Sequence, residues 1–474
     1  MQTTAHRFIE NSERLLADRE LQGMLAGMRA HVPEARQRAV DGLPEFEALR
    51  DRARAIKDHV IQHLDFYLER FEAKVIEAGG KTHWCADGAE ARDTILAICR
   101  KAGARTVTKG KTMVGEEIAI NPHLEAHGMV PVETDLGEYI IQLRGEPPSH
   151  IIAPSFHVSA KQVSETFLAK HAGLDPKRPL QDIGDLLAEA RGILRGKFLA
   201  ADVGITGANF LVAETGSTVI VTNEGNGDLT QTLPKVHIVL AGIEKIVPTL
   251  EDASCIMRVL ARSATGQEMS VYTTFSTGPR RPEDPDGPAE FHVVLLDNGR
   301  SGLLGSAFQD LLRCIRCGAC LDHCPVYHAV GGHAYGSVYG GPIGAALTPA
   351  LVGLEKSVDL PNASTLCGRC ESVCPMRIPL PKLLRNWREV AFERHLMPER
   401  ARWALALWAF FARHPALYGL AASIGARLLG WAGRRNGRIA NLPFAAGWTR
   451  YRDLPAPEGE SFQARWRRLR GGSA

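Results

Sequence analysis

Long apolar runs, strong net charge and a leader segment are all missing from this sequence. No stretch of about 18 uncharged apolar residues occurs, so we expect no transmembrane helix. Residues 1–10 have neither the apolar core nor the cleavage site of a signal peptide, and we therefore expect a cytoplasmic protein. A formal net charge of +3 over 474 residues gives no electrostatic reason to expect nucleic-acid binding.

Two motifs that mark catalytic domains are also missing. No G-x-G-x-x-G sequence follows a predicted strand, so nothing indicates a bound flavin. No pair of histidines has the spacing of a metal site. At 474 residues the chain is too long for one ordinary core, and two or three domains are expected.

Cysteine, in contrast, is concentrated in one short part of the chain. Seven of the ten cysteines lie between positions 314 and 374, in two runs. Three thiolates at i, i+3 and i+6 can wrap one four-iron cluster, and a fourth further along then points to a neighbouring cluster. The first run has this C-x₂-C-x₂-C-x₃-C-P pattern of bacterial two-cluster ferredoxins and reads Cys314-Ile-Arg-Cys317-Gly-Ala-Cys320-Leu-Asp-His-Cys324-Pro325.

The second run supplies the neighbouring cluster. It reads Cys367-Gly-Arg-Cys370-Glu-Ser-Val-Cys374-Pro375. Because the last cysteine of each run points away from the cluster that its own run wraps, the two runs are expected to exchange ligands. We therefore predict two [4Fe–4S] clusters, with cluster 1 held by Cys314, Cys317, Cys320 and Cys374, and cluster 2 held by Cys324, Cys367 and Cys370.

Cluster 2 is one cysteine short in this assignment. In register with the first run, Ser364 occupies the position of the missing thiolate, three residues before Cys367. The open iron could take the Ser364 oxygen, a water, a partner's ligand or a remote cysteine, or could be lost to leave a three-iron cluster. The remote cysteines are Cys85, Cys99 and Cys255, which match no motif and are interpreted as buried structural thiols.

Zinc and disulfides are the alternatives to iron–sulfur ligation. Pairs of C-x₂-C separated by a loop also occur in zinc ribbons, but zinc takes four ligands per ion and the first run matches no zinc spacing. A disulfide scaffold is typical of short secreted chains in an oxidising compartment. Iron–sulfur clusters are therefore the favoured interpretation.

The chain divides into four predicted regions, 1–78, 79–300, 303–385 and 386–474. The first is helical, with apolar residues from Ile56 to Val75 spaced by three and four along one helix that ends at Gly79. The second alternates β-rich runs with helices, which is typical of a layered α/β domain. The third is the ferredoxin-like cysteine module, and the fourth is a basic, tryptophan-rich helical tail.

Local patterns predict elements within these regions. A helix is expected at 89–102, and residues 277–288 are rich in proline and glycine, so an exposed loop is expected there. Glycine-rich residues 331–342 are predicted to cover a cluster, with a plain connecting loop as the alternative. Strands are predicted at 81–85, 105–108, 150–154, 210–212, 218–222, 236–241 and 291–297.

The tail contains two apolar helical stretches, at 403–411 and 417–431, with arginines on both sides. Helices of this kind can lie in a membrane interface or pack on a partner subunit. They can also be buried against the rest of their own chain. The sequence leaves these three outcomes open.

Further stretches outside the cysteine runs carry a family resemblance. Three lie in the α/β region and one lies in the tail. Together with both cysteine runs and the cysteine lost at Ser364, they make nearly the whole chain resemble the bacterial lactate-utilisation iron–sulfur proteins of the LutB type. The stretches are Met113-Val-Gly-Glu-Glu-Ile118, Glu133-Thr-Asp-Leu-Gly-Glu-Tyr-Ile-Ile-Gln142, Gly207-Ala-Asn-Phe-Leu-Val-Ala-Glu-Thr-Gly216 with Asn223-Glu-Gly-Asn-Gly227, and Ala446-Gly-Trp-Thr-Arg-Tyr-Arg-Asp-Leu-Pro455.

This resemblance implies a fold, cofactors and partners. The implied fold is a layered α/β domain similar to the CoA-transferase and ribose-isomerase superfamily, an α-helical ferredoxin-like module with two [4Fe–4S] clusters, and a helical C-terminal tail. The implied role is electron carrier in a complex that oxidises L-lactate to pyruvate. The implied partners are a cysteine-rich protein like the heterodisulfide reductase subunit and a smaller protein with a similar α/β domain. The family pattern gives the same ligands to the same two clusters.

Candidate residues in the α/β domain are less specific. Glu214 lies in an Ala-Glu-Thr-Gly turn between two predicted strands, where a catalytic glutamate of this superfamily would lie, and stabilisation of the turn is the alternative. Asp135 and Glu138, with Lys109 and Lys111 nearby in sequence, could form a polar pocket for an anionic substrate. Solvated loop charges explain the same residues, and fold resemblance alone does not establish activity.

Three functions follow as hypotheses. The first is an electron-transfer subunit, and the family resemblance carries most of the preference for it. The second is a catalytic oxidoreductase subunit that acts through its α/β domain, although iron–sulfur clusters usually pass single electrons and lactate oxidation removes a pair. The third is a redox sensor in which the three-cysteine cluster is labile.

Overall fold

The computed structural model describes residues 3–180, 182–442, 446–449 and 452–471. It consists of two compact units, Met1–Ala391 and Phe392–Ala474. The tail stretch 446–455, part of the family resemblance, is described except at positions 450 and 451. The four region boundaries expected from the sequence stay predictions.

Helices dominate both units. In the first unit they precede the sheet, alternate with its strands and then surround the cysteine runs. The helices are α1 (Phe8–Leu16), α2 (Arg19–Asp41), α3 (Phe46–Gln62), α4 (Leu64–Glu77), α5 (Gly88–Lys101), α6 (Met113–Glu117), α7 (Ile120–Ala126), α8 (Leu136–Arg144), α9 (Ala160–Lys170), α10 (Ile183–Leu199), α11 (Asn226–Thr232), α12 (Leu250–Ala264), α13 (Ala319–Asp322), α14 (Tyr327–Val330), α15 (Gly341–Val352), α16 (Arg369–Val373), α17 (Leu380–Glu393), α18 (Glu399–Ala412), α19 (Pro415–Ala432), α20 (Ala446–Thr449) and α21 (Phe462–Gly471).

The strands form an α/β core with two sheets, and a two-stranded ribbon in the tail. They are β1 (Lys81–Cys85), β2 (Thr106–Gly110), β3 (Val130–Glu133), β4 (Val203–Thr206), β5 (Phe210–Val212), β6 (Ser217–Thr222), β7 (Val236–Gly242), β8 (Ile246–Val247), β9 (Tyr272–Ser276), β10 (Glu290–Leu296), β11 (Arg438–Ile439) and β12 (Leu454–Pro455). The main sheet is parallel, with the order β1-β10-β7-β4-β2-β3. A smaller mixed sheet has the order β8-β5-β6-β9.

The burial of the central strands explains why this sheet is parallel and has helices on both faces. Every residue of β7 is buried, and β10 is buried from its second residue onward. Continuous apolar strands of this kind need helices on both faces. The α/β fold expected from the sequence is therefore confirmed, and the parallel order brings the carboxyl ends of β2, β3, β4 and β7 to one edge.

The N-terminal helical face is divided between two helices rather than formed by one. Helices α3 and α4 meet at His63, whose φ of −128° and ψ of 39° interrupt the helix. The single helix predicted from Ile56 to Val75 is therefore wrong at this residue. Val60, Leu68 and Val75 are still buried on the predicted period, in one cluster with the main sheet.

Most predicted strands are present, and one is not. Residues 150–154 bend instead, because the His150 imidazole accepts hydrogen bonds from the backbone N–H groups of Ile152 and Ala153, both at 3.1 Å. The sequence also missed β3, β4, β8 and β9 of the α/β domain. Strands β3 and β4 have four residues each and contain Pro131 and Gly204, two residues unfavourable in strands. Residues 277–288 are irregular, as predicted.

The second unit contains α18, α19, α20 and α21 and the β11–β12 ribbon. Its two long helices have no buried residue, and Trp403 and Trp431 are each 75% exposed. Within the described ranges, no helix is both long enough and apolar enough to span a bilayer.

Candidate functional site: two cysteine groups and an adjoining cavity

Both cysteine runs use the same local backbone. Gly318 follows Cys317 with φ +78°, and Gly368 follows Cys367 with φ +82°. This left-handed conformation is easily adopted only by glycine, so each run turns sharply at the same place. The turns lead directly into the short helices α13 and α16, which carry the third cysteine of the first run and Cys370.

The four cysteines assigned to cluster 1 line a single small cavity. Three come from the first run and Cys374 comes from the second, so the geometry brings distant stretches together as the interleaving argument required. Burial raises the pKa of Cys317, and the nearby sulfur of Cys374 raises it further because like charges disfavour a second thiolate. The thiols thus need positive iron centres to be held as thiolates. The ligand assignment itself stays a prediction.

Cys324, Cys367 and Cys370 form a second group. Burial, together with the sulfurs of Cys324 and Cys367, raises the pKa of Cys370 to about 12. Cys367 differs from every other cysteine in this module because it is exposed. Hydrogen bonds from the backbone of Arg369 and the side chain of Thr365 lower the pKa of Cys367. The second group is therefore open to solvent on one side.

An orphaned hydroxyl lies between the two groups. Tyr335 is fully buried, and its Oη has no hydrogen-bond partner. Burial raises its pKa, and the sulfurs of Cys324, Cys320 and Cys370 raise it further, so the Tyr335 hydroxyl acts electrostatically with cysteines of both groups. An unpaired buried hydroxyl costs about 1–3 kcal/mol, and a cluster sulfide here would accept its hydrogen bond. The residues present therefore fit iron–sulfur clusters.

Over the ranges that the structure describes, no three His, Cys, Asp or Glu side chains stand close enough to bind one metal ion.

Two arginines from the N-terminal helices hold the second run in place. Arg50 is buried and donates from Nε and Nη2 to the carbonyl oxygen of Cys374, at 3.1 and 2.6 Å. Its Nη2 also donates to the carbonyl oxygen of Ser372 at 2.8 Å. Arg36 donates to the carbonyl oxygen of Val373 at 3.0 Å. These bonds satisfy buried carbonyl groups and fix the position of Cys374.

Backbone amides also donate hydrogen bonds to cysteine sulfurs of the first group. The N–H of Arg316 donates to Sγ of Cys314 at 3.4 Å, and the N–H of Ile378 donates to Sγ of Cys374 at 3.5 Å. Hydrogen bonds to cluster sulfurs are one of the protein's means of tuning reduction potentials.

The candidates for the fourth ligand of cluster 2 differ in their position relative to the second cysteine run. Cys85 and Cys99 lie in an apolar cluster of the α/β core, and Cys255 is buried on α12. Ser364 is half-buried beside the second run, and its Oγ accepts a hydrogen bond from the N–H of Leu366 at 3.1 Å. The structure thus leaves Ser364 near the second group, and its ligation stays a prediction.

The glycine-rich residues 331–342 pack tightly for a reason the sequence did not reveal. A Cβ on Gly332 would lie 1.6 Å from the carbonyl oxygen of Ser149, so this position accepts only glycine. The hydroxyl of Tyr327 donates to the same carbonyl at 2.7 Å. The loop is thereby fixed to the α/β domain, and its side chain beside the cysteines is Tyr335.

The α/β domain contains a cavity of about 400 Å³ at the carboxyl ends of its parallel strands. Lys111 follows β2, Asp135 follows β3, and Asn209 follows β4. Lys111 has a left-handed backbone, with φ +57°, and its ammonium contacts Asp135 and, at 3.1 Å, Glu224. Ligand sites of parallel α/β sheets occur at this edge.

The predicted polar pocket is formed by three of its four residues. Lys111, Asp135 and Glu138 line the cavity. Burial raises the pKa of Glu138 well above its usual value, and the carboxylates of Glu133 and Asp135 raise it further. Lys109 instead lies in the sheet and pairs with Glu133 at 2.7 Å, so the expectation that it faces the pocket is wrong.

One side chain connects the cavity with the cysteines. Arg316, between two cysteines of the first run, lines both the α/β cavity and the cluster 1 cavity. Its Nη2 lies 3.3 Å from the Glu244 carboxylate, and its guanidinium lies over the Tyr339 ring. Burial alone would raise the pKa of Glu244, but Arg300, Arg316 and Lys245 lower it to about 2.

Glu214, the weak catalytic candidate, lies elsewhere. It is exposed at the turn between β5 and β6, and its carboxylate accepts a hydrogen bond from the N–H of Leu250 at 3.1 Å. Leu250 is the first residue of α12, where a negative charge stabilises a helix N-terminus. Glu214 is not among the residues that line the α/β cavity.

Sequence reasoning did not identify Tyr335, Lys245 or Arg316 as functional residues. Tyr335 lies inside the glycine-rich segment and Arg316 lies inside the first cysteine run, and neither residue forms a sequence pattern of its own. Glu244 and Lys245 are adjacent charged residues that follow the apolar strand β7. A charged pair at the end of an apolar strand is the sequence signal that could have identified Lys245 as a functional residue.

The fold and the cysteines define an iron–sulfur protein with an α/β domain and a ferredoxin-like cysteine module, and comparison of the sequence with known families agrees. Family models match a LUD domain at residues 68–296, a 4Fe-4S dicluster domain at 310–378 and the C-terminal domain of lactate utilisation protein B at 393–470. A solved DUF162 family protein from Deinococcus radiodurans aligns with 49% of this chain and 98% of its own, at 14% identity and TM-score 0.27.

Full-length relatives identify the family. Lactate utilization protein B of Shouchella clausii is 43% identical over 96% of this chain and 95% of its own. The protein of the same name from Anoxybacillus flavithermus is 41% identical over 99% of both chains. An Escherichia coli relative, described as the uncharacterized electron transport protein YkgF, is 42% identical over 93% of this chain and 92% of its own. The chain belongs to the lactate utilization protein B family and is an iron–sulfur protein of lactate utilisation.

Proposed function

We propose that this chain is the electron-transfer component of a complex that oxidises L-lactate to pyruvate. The observation that carries the proposal is the arrangement of the seven cysteines. Four line one cavity, the other three are neighbours, and Cys320 of the first group acts electrostatically with Cys370 of the second. Two adjacent redox centres in one chain are what an electron carrier requires.

The proposed ligands are the predicted ones. Cys314, Cys317, Cys320 and Cys374 hold cluster 1, and Cys324, Cys367 and Cys370 hold cluster 2. When bound, the clusters supply one-electron redox centres. The chain's own residues position and tune them. Arg50 fixes Cys374, amide groups donate to sulfur, and Tyr335 offers its hydroxyl to the group that lacks a fourth thiolate.

We propose two protein partners, a cysteine-rich protein like the heterodisulfide reductase subunit and a smaller protein with a LUD-type α/β domain. The exposed apolar side chains of α18 and α19 support a partner contact by the tail, because large exposed apolar patches mark interaction sites. Flotation with anionic liposomes would test the peripheral membrane alternative, with a chain truncated before α18 as the control. Absence of binding by the full chain would exclude that alternative.

Iron and sulfide analysis with low-temperature EPR on anaerobically purified protein tests the proposed function. We expect about seven or eight irons per chain, depending on whether cluster 2 retains its fourth iron. Cys317→Ser should remove the signal of cluster 1, and Cys370→Ser the signal of cluster 2. A wild-type chain that holds iron for one cluster alone would contradict the proposal, and so would zinc in place of iron.

Redox sensing is the second candidate, and Cys367 favours it. This cysteine is exposed and its pKa is lowered, so it is the ligand that oxidants reach most easily. If cluster 2 is lost in air and partner binding changes as a result, the sensing role gains support. If cluster 2 survives air exposure, that role is excluded.

A further inference from the structure

Two cations at one end of the α/β cavity have unused hydrogen-bonding capacity. Lys245 is buried and lines the cavity, yet its ammonium makes no hydrogen bond or ion pair with any residue that the structure describes. The Arg316 side chain is 9% exposed, and its buried Nη1 has no hydrogen-bond partner. Burying charged donors without partners is costly, so an arrangement of this kind is typical of an anion site.

We propose that this cavity binds a small organic monoanion, with its carboxylate on Lys245 and Arg316. The contacts at this end favour a ligand with one negative charge. Glu117 and Glu244 pair with Arg300 and Arg316 at 2.7 to 3.3 Å, and no carboxylate of the described residues is in ion-pair contact with Lys245. A carboxylate can accept hydrogen bonds from Lys245 and from Nη1 of Arg316, whereas a doubly charged phosphate would place a second negative charge near the cysteines on the other side of Arg316.

The rest of the cavity suits the carbon skeleton and one further oxygen of such a ligand. Met113, Ile151 and Leu260 supply apolar wall, and the volume of about 400 Å³ lies within the usual range of small-molecule sites. Glu138 lines the same cavity, and burial raises its pKa. A neutral carboxyl group can donate a hydrogen bond to a hydroxyl or keto oxygen of the ligand. The cavity therefore favours a hydroxy acid or an oxo acid.

Arg316 couples this site to cluster 1. The same guanidinium borders the ligand on one side and the cavity of Cys314 on the other. Reduction adds negative charge on the cysteine side, so it weakens the attraction of Arg316 and Lys245 for a bound carboxylate. By linkage, the carboxylate then lowers the reduction potential. This coupling rests on the proposed function, because it requires a loaded cluster 1, whereas binding to the cavity does not.

The test uses the full chain purified anaerobically, with iron content measured first. Isothermal titration calorimetry with pyruvate, L-lactate and inorganic phosphate measures binding, and redox titration followed by EPR measures the potential of cluster 1 with and without pyruvate. We expect saturable binding of the two carboxylates. We expect binding about fivefold tighter to the oxidised protein, which corresponds to a potential about 40 mV lower with pyruvate present.

Lys57 provides a matched control for Lys245. Both are fully buried, burial lowers the pKa of each to about 8, and both act electrostatically with Cys314. Lys57 does not line the cavity, since its ammonium donates to the backbone carbonyls of Glu244 and, at 3.1 Å, Ile246. Lys245→Met should abolish carboxylate binding and the pyruvate-dependent shift, whereas Lys57→Met should retain both. Lys245→Arg, which keeps the charge, should restore most of the shift.

The outcomes separate this inference from the proposed function. If wild-type protein binds neither carboxylate, or if Lys245→Met keeps the binding, the anion site is wrong. Binding of phosphate in preference to pyruvate would overturn the carboxylate assignment. A chain without iron that still binds pyruvate through Lys245 would refute the proposed function and support the site. Binding without any change in potential would refute the coupling through Arg316.

Discussion

The two cysteine groups of this protein are enclosed to different degrees. The first has four cysteines around one cavity, and three buried cations act electrostatically with Cys314: Lys57 of α3, Lys245 of the α/β domain and Arg316 of the first cysteine run. The second has three cysteines, and Cys367 is exposed. The difference indicates a division of roles, in which buried cations set the charge around the first group while the second is open to solvent at Cys367.

Arg50 supports the enclosed group most directly, and its loss should have the largest effect. Arg50→Met removes two hydrogen bonds to the buried carbonyl group of Cys374 and one to the carbonyl group of Ser372. Leaving those carbonyls unpaired should lower the free energy of unfolding by about 2–4 kcal/mol. It should also release iron from cluster 1, because Cys374 loses its anchor. Anaerobic chemical denaturation and iron analysis measure the two effects.

Arg54→Met is the matched control for this change. Arg54 lies on the same helix and forms an exposed ion pair with Asp58 at 3.2 Å. Exposed pairs contribute at most about 1 kcal/mol, so this variant should unfold nearly as the wild type does. Equal losses in both variants would mean that the contact with Cys374 has no special importance.

The second-largest expected effect is a difference between the two cysteine groups in the rate at which they lose iron. With a chelator under argon, iron should leave the group of Cys324, Cys367 and Cys370 several-fold faster, because an exposed ligand can be attacked by solvent and chelator. EPR signals of the two clusters, followed over time, measure the two rates. Equal rates would show that the exposure of Cys367 does not control cluster stability.

The sequence predicted the cysteine groups better than their surroundings, for a physical reason. Ligands within each run are set by local backbone turns, so spacing such as Cys314 to Cys317 already contains most of the geometry. The fourth predicted ligand of cluster 1, Cys374, comes from the second run. This long-range assignment followed from the two-cluster ferredoxin pattern and not from spacing within one run. Cations such as Lys245 approach Cys314 only through the topology of the sheet, and no local pattern records that proximity.

Strands were predicted from apolar runs, which identified some strands correctly and one wrongly. Strongly apolar runs such as β7 and β10 were found because burial on both faces requires them. The run at 150–154 is apolar as well, but its backbone N–H groups bond to the His150 imidazole, a side-chain choice that periodicity does not show. Glu214 was a catalytic candidate because of its position in the turn. Its carboxylate instead accepts a hydrogen bond from the N–H of Leu250 at the start of α12.

Tyr335 should affect the second group by a smaller amount. Tyr335→Phe removes the orphaned hydroxyl beside Cys324 and Cys370 without changing the ring. Loss of one hydrogen bond of about 1 kcal/mol should lower the reduction potential of cluster 2 by roughly 40 mV. Tyr327→Phe is the control, because that hydroxyl already donates to Ser149 at 2.7 Å. A shift of equal size in both variants would remove the special role of Tyr335.

Substitutions at Ser364 test whether the Ser364 oxygen is the fourth ligand of cluster 2 or whether the protein supplies only three ligands to that cluster. Its Oγ accepts a hydrogen bond from the N–H of Leu366, which a ligand oxygen could also do, so geometry alone leaves both roles. If a water or a partner's ligand serves the open iron, Ser364→Ala should leave the EPR signal and the iron content of cluster 2 nearly unchanged. Ser364→Cys restores the ferredoxin pattern and should slow iron loss to the chelator, because thiolate binds iron more strongly than a hydroxyl oxygen does. A three-iron signal in Ser364→Ala, absent from the wild type, would instead identify Ser364 as the fourth ligand.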